Sequence, residues 1–155
     1  MSRRKIRFWR AFWWSLFAIW LVLTVYLSSQ NGSGSSDVSS WLADKLWRAS
    51  NVVTKALLDR GMSFATFHLL VRKLAHFTVH LFLAFFAVRA SAWSFSQRRE
   101  GLRFAWILSI CLAVFDEAIQ LLAPGRVSAL LDGGINLAGV TLGALISSLL
   151  GPRQK

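Results

Sequence analysis

Long apolar runs alternate along this chain with short polar breaks, most of them basic. Four runs reach the roughly 20 residues that a helix needs to cross a bilayer. They lie at about 8–27, 70–92, 102–122 and 129–150, and the helix of the second begins earlier, near Ser63. After the first run, Ser28-Ser29-Gln30-Asn31-Gly32-Ser33-Gly34-Ser35-Ser36 reads as a flexible polar stretch. From Asp37 the pattern turns helical. Val38, Trp41, Leu42, Leu46, Ala49, Val53, Ala56 and Leu57 recur at helical spacing, while Asp44, Lys45, Arg48, Lys55 and Asp59 occupy much of the opposite face. This predicts an amphipathic helix over about 37–60, stopped at Gly61. It lies on the outer membrane surface, over the protein's own polar mouth, or both. The expected fold is all-α: one membrane domain over 1–155, a four-helix bundle with a surface helix in its first outer loop.

Composition agrees with that pattern: 55% of residues are hydrophobic and the mean hydropathy is +0.48. The start, Arg3-Arg4-Lys5-Ile6-Arg7 before an apolar run, resembles a signal peptide. The run is too long for a typical signal core and Val25-Tyr26-Leu27 is a poor cleavage site, so an uncleaved anchor is expected. The net charge of +11 raises the question of nucleic acid. The basic residues flank apolar spans, however, which fits topology and anionic lipid instead, and no nucleic-acid partner is expected. With the N-terminus inside, 11 basic residues fall on the cytoplasmic side and 7 (Lys45, Arg48, Lys55, Arg60, Arg72, Lys73 and Arg126) on the other, of 18 in all. That bias predicts a multi-pass protein of the cell membrane with both termini cytoplasmic. The single cysteine, Cys111, lies in an apolar run and forms no internal disulfide. No Cys/His spacing suggests structural zinc, and neither a metal nor a cofactor is expected.

Chemistry concentrates near three span ends. Asp116 and Glu117 sit side by side in the third span. A charge at the centre of a spanning helix costs roughly 2.5–3.5 kcal/mol on insertion scales, so such groups are kept where something pairs with them or uses them. Asp116 and Gln120 share a helix face, with Glu117 one position round. The second span enters with Arg72-Lys73, and Arg72, His76 and His80 share a face at steps of four. Ala123-Pro124-Gly125-Arg126 is a tight turn that makes the third and fourth spans antiparallel neighbours. The fourth span, with Ser128 as its N-cap, carries Asp132, Asn136, Gly139 and Gly143 on one stripe. Four alternating spans bring these three clusters to the same outer depth. Arg72, Lys73, His76, Asp116, Glu117, Gln120, Arg126, Asp132 and Asn136 are thus candidate binding residues of one outward-facing polar cleft, where opposite charges offset each other's burial.

Each admits a plainer role. His76 is a structural partner of a carboxylate, a ligand contact or a general base. Paired with His80 it has metal-ligand spacing, although that spacing is common by chance. Arg72 and Lys73 snorkel to the interface or hold an anion. Asp116 and Glu117 tie the bundle together or share a proton for acid/base work. Gly139 and Gly143 form a close-packing seam.

The segments Val71-Arg72-Lys73-Leu74-Ala75-His76-Phe77, Asp116-Glu117-x-x-Gln120, Pro124-Gly125-Arg126 and Asp132-x-x-x-Asn136-x-x-Gly139-x-x-x-Gly143 together resemble the VanZ-like family. Ser28-Ser29-Gln30 followed by small residues is similar to that family's first loop. The resemblance covers nearly the whole chain. One departure is His80, where the family pattern leads one to expect Tyr four residues after the motif histidine. The resemblance implies a four-span bacterial membrane protein related to one associated with low-level tolerance of teicoplanin, and it supplies no settled reaction. The favoured expectation is binding of an amphiphilic, lipid-linked envelope ligand or lipoglycopeptide, with membrane lipid as the partner and a homo-oligomer possible. The alternatives are a membrane-embedded enzyme with His76 and Glu117 as candidate catalytic acid and base, and a scaffold whose polar network only stabilises the bundle. A proton-coupled carrier fits four short spans less well.

Overall fold

The computed structural model describes residues 2–30, 32–49, 51–122 and 130–150. They form six helices and, among the described residues, no strand: α1 (Arg3–Ser29), α2 (Gly32–Ala49), α3 (Asn51–Asp59), α4 (Phe64–Ala92), α5 (Arg98–Leu122) and α6 (Leu130–Leu150). Helices α1, α4, α5 and most of α6 are long and apolar enough to cross a membrane. They alternate in direction. The end of α1 meets the last third of α5 through Ser28 and Asp116, while at the other end Trp14 Nε1 donates to Ser94 Oγ across 2.9 Å. Large apolar side chains point outward over much of the surface, among them Ile19, Val22, Ile107, Val114 and Leu145. In water this would be an aggregation hazard, and in lipid it is the required exterior. Cys111 belongs to that exterior.

The most extensive helix contact joins α4 and α6. Lipid tails are as apolar as leucine, so helices in a membrane associate by close packing rather than by hydrophobic burial. The α6 stripe is built for it: Asn136, Gly139, Val140, Gly143, Ala144 and Ser147 are all buried. A Cβ added at Gly139 would collide with the Phe77 carbonyl oxygen, and one at Gly143 with that of Leu81. Ser147 Oγ closes the seam by donating to the Phe85 carbonyl at 3.0 Å. The facing side of α4 contributes Leu83, Ala84, Ala87 and Val88. Helix α5 buries one stripe of small residues, Gly101, Ala105, Ser109 and Ala113, which turns polar at Asp116 and Gln120.

Helix ends follow local chemistry. Ser63 caps α4, its Oγ accepting from the Thr66 amide at 3.2 Å. Gly61, at φ 76°, ends the segment after α3 with the left-handed turn that L side chains resist. At the basic end, Arg89 Nη1 and Arg98 Nη2 donate to the carbonyls of Leu150 (2.9 Å) and Ser148 (3.0 Å). They supply the partners that the last turn of α6 lacks. Arg89 also lies 4.8 Å over the Trp13 ring.

The first loop departs from expectation in two ways. Ser28 and Ser29 still belong to α1, and helix resumes at Gly32, so the stretch read as flexible is largely helical. The predicted helix over 37–60 is two helices, α2 and α3. The reason is tertiary: α2 docks on α4 through buried Ser39 and Ala43, and Trp47 packs against Phe64 and Phe67 with ring centroids 5.8 and 5.0 Å apart. Docking of this kind overrides the weak helix propensity of a Ser/Gly run. Of the two placements open for this segment, covering the polar mouth describes α2, although Trp41 and Leu46 on its flank stay exposed.

Candidate functional site

A cleft of about 240 Å³ opens where the end of α1 meets α2, α4 and α5. Each helix contributes by its own period. α4 turns Arg72, His76 and His80 toward it at steps of four, with Val71, Ala75 and Val79 between. α1 presents Thr24 and Ser28, again four apart. α5 contributes Asp116. α2 roofs the cleft with Val38, Ser39 and Leu42. Ser39 Oγ lies 2.8 Å from His68 Nε2, which ties that roof to α4. The cleft therefore has a largely apolar wall and a polar floor.

Asp116 is the centre of the floor, 3% exposed. Its Oδ1 accepts from the Ser28 hydroxyl and its Oδ2 from Gln120 Nε2 at 2.7 Å. His80 Nε2 approaches Oδ2 at 3.6 Å. His80 Nδ1 lies 3.0 Å from the His76 carbonyl oxygen. A carbonyl only accepts, so Nδ1 carries hydrogen, and Nε2 then faces a carboxylate oxygen. Such a carboxylate is the kind of charge a membrane interior tolerates, since donors on α1 and α5 bond both its oxygens. Arg72 differs: among the described residues it has neither an ion pair nor a hydrogen bond, and it is half-buried at the cleft wall.

The remaining candidates form a second group on the far side of α4. Lys73 Nζ meets Asp132 Oδ1 at 2.6 Å, with side chains 37% and 30% exposed. Asn136, fully buried, donates from Nδ2 to Glu117 Oε1 at 2.6 Å. These pairs join α6 to α4 and to α5 and do not line the cleft. The polar layer at this end is thus two-sided. Arg72, His76 and Asp116 face the cleft, with Gln120 behind Asp116, while Lys73, Glu117, Asp132 and Asn136 face the α6 seam. Arg126, the Pro124-Gly125 turn and Ser128 lie outside the described residues.

Several residues escaped the sequence reading as members of the site: Thr24, Ser28, Ser39 and His80, which line the cleft, and His68, which holds Ser39. The pair Thr24 and Ser28, polar at a four-residue step near the end of an apolar span, was the available signal. Ser39 and His68 carried none, because only docking of α2 brings them together. Among the described residues no group of three or more His, Cys, Asp or Glu could hold a metal ion. Chemically, the floor can orient a polar headgroup, and Arg72 can meet an anion.

No curated protein and no solved structure matches the chain. A family model described as VanZ/LLP1 matches residues 13–151, which takes in most of α1, all of α4, α5 and α6 and the polar layer between them, so the chain belongs to the VanZ/LLP1 family.

Proposed function

We propose that this membrane protein binds an amphiphilic, anionic, lipid-linked ligand in the cleft between α1, α2, α4 and α5, on the outward side of the cell membrane. The observation that carries the reading is the pairing of an apolar wall with a cation that has no counter-ion among the described residues. Leu27, Val38, Leu42, Val71 and Val79 offer the surface that a lipid chain wants. Among the described residues Arg72 has no counter-ion, whereas Lys73 is already paired with Asp132. A guanidinium beside a low-dielectric wall favours a phosphate or carboxylate headgroup. The outward orientation rests on the basic end of the bundle, where Arg3, Arg4, Lys5, Arg7, Arg10, Arg98, Arg99 and Arg103 gather and where a cytoplasmic leaflet is expected. Both termini then lie in the cytoplasm.

A second reading, a scaffold, draws on the state of Asp116, whose two oxygens both accept hydrogen bonds from the protein. In that reading the layer only holds the bundle together. One experiment separates the two: mass spectrometry of lipids retained by purified native protein and by Arg72→Gln. Ligand binding expects an anionic lipid enriched over the bulk membrane in the native protein and lost from a variant that is still folded. Equal retention by both proteins would leave the scaffold.

A further inference from the structure

We infer a separate binding site for the phosphate of an anionic phospholipid at the opposite end of the bundle, on the outer flank of α5. A groove of about 390 Å³ there is lined by Arg99, Leu102, Arg103, Trp106 and Ile107. Neighbouring arginines are spoken for: Arg98 binds the Ser148 carbonyl and Arg89 that of Leu150. Arg99 and Arg103, one turn apart, are exposed and among the described residues have no carboxylate partner. Their spacing puts both guanidinium groups on one face, within reach of a single phosphate.

Below the cations the groove changes character. Trp106 lies seven residues on from Arg99, about 10 Å deeper at 1.5 Å per residue. Leu102 and Trp106 pack against the bundle core, which holds the floor in place, while Ile107 stands exposed beside them. Charge at the helix start and an apolar, aromatic floor one to two turns deeper repeat the layering of a phospholipid, headgroup above chain. The ligand is committed by that complementarity and by the setting, because the groove runs along a helix that crosses the membrane. The site shares no residue with the cleft, and nothing in its argument depends on what the cleft binds.

The test uses full-length protein in vesicles of phosphatidylcholine with a minor fraction of phosphatidylglycerol, extracted gently and weighed by native mass spectrometry. Phosphatidylglycerol should be retained in preference to phosphatidylcholine. The double variant R99Q/R103Q should weaken that retention on the order of tenfold or more, as two surface cations lost imply. The variant R3Q/R4Q removes the same charge from the start of α1 and should leave retention near native. All the substituted arginines are exposed, so folding is not at stake. No preference in the native protein, undiminished retention in R99Q/R103Q, or equal loss in R3Q/R4Q would each overturn the inference.

Discussion

Replacing Asp116 by Ala should cost the bundle much of its stability, and the size of the loss follows from its partners. The carboxylate is 3% exposed and accepts from Ser28 and Gln120, with His80 Nε2 at 3.6 Å. Hydrogen bonds between membrane helices average about 0.6 kcal/mol and reach about 1.7. The Ser28 bond, which joins α1 to α5, is of this kind, and the Gln120 bond within α5 adds about 0.5–1.5 kcal/mol, so the two account for roughly 1–3 kcal/mol. Removing one member of a buried charged set, which leaves the others without a partner, costs about 3–5 kcal/mol in soluble proteins. A loss of about 2–4 kcal/mol lies between these bounds. Asp116→Asn should be much milder. Its amide oxygen can still accept from Ser28 and its NH₂ can donate to His80 Nε2, so that only the Gln120 bond is disturbed. Tryptophan fluorescence during unfolding in mixed detergent measures both variants. If Asp116→Ala unfolds within about 0.5 kcal/mol of the parent, a difference typical of neutral surface changes, the network does not hold the bundle. If Asn behaves as badly as Ala, the hydrogen-bond reasoning is wrong even though the position matters.

Other perturbations sort the remaining features. Gly143→Ala drives a Cβ into the Leu81 carbonyl and should cost about 1–3 kcal/mol by overpacking. Gly134→Ala, whose Cβ meets nothing within 4 Å, should be neutral or stabilising by up to about 1 kcal/mol. The same unfolding assay reads both, and equal effects would dismiss the close-packed seam. For Lys73 and Asp132, each about one-third exposed, a double-mutant cycle should give a coupling of about 1 kcal/mol or less, since water screens the pair. A coupling several times larger would mean that the pair is dry in the membrane and belongs with Asp116 as a structural anchor.

The sequence by itself determined the membrane architecture. A bilayer core demands about 20 apolar residues per helix, and four such runs stand out from their polar breaks without any knowledge of contacts. It also determined that Arg72, His76, Asp116, Glu117, Asp132 and Asn136 share one depth, because alternating spans leave no other choice once span ends are known. The small-residue stripe at Gly139 and Gly143 was legible for the same reason, since packing in lipid favours small residues at a helix seam. Tertiary structure decided how that layer divides. Successive helical residues point about 100° apart, so Arg72 and Lys73 leave α4 toward different neighbours, and Asp116 and Glu117 do the same from α5. Which neighbour lies on which side is a property of how the helices pack. Only that packing brings Ser28 to Asp116 and lays α2 across the cleft through Ser39 and His68. Nine polar positions from three separate stretches were therefore read as one site from the chain, where, among the described residues, the bundle makes a cleft on one side of α4 and a seam on the other.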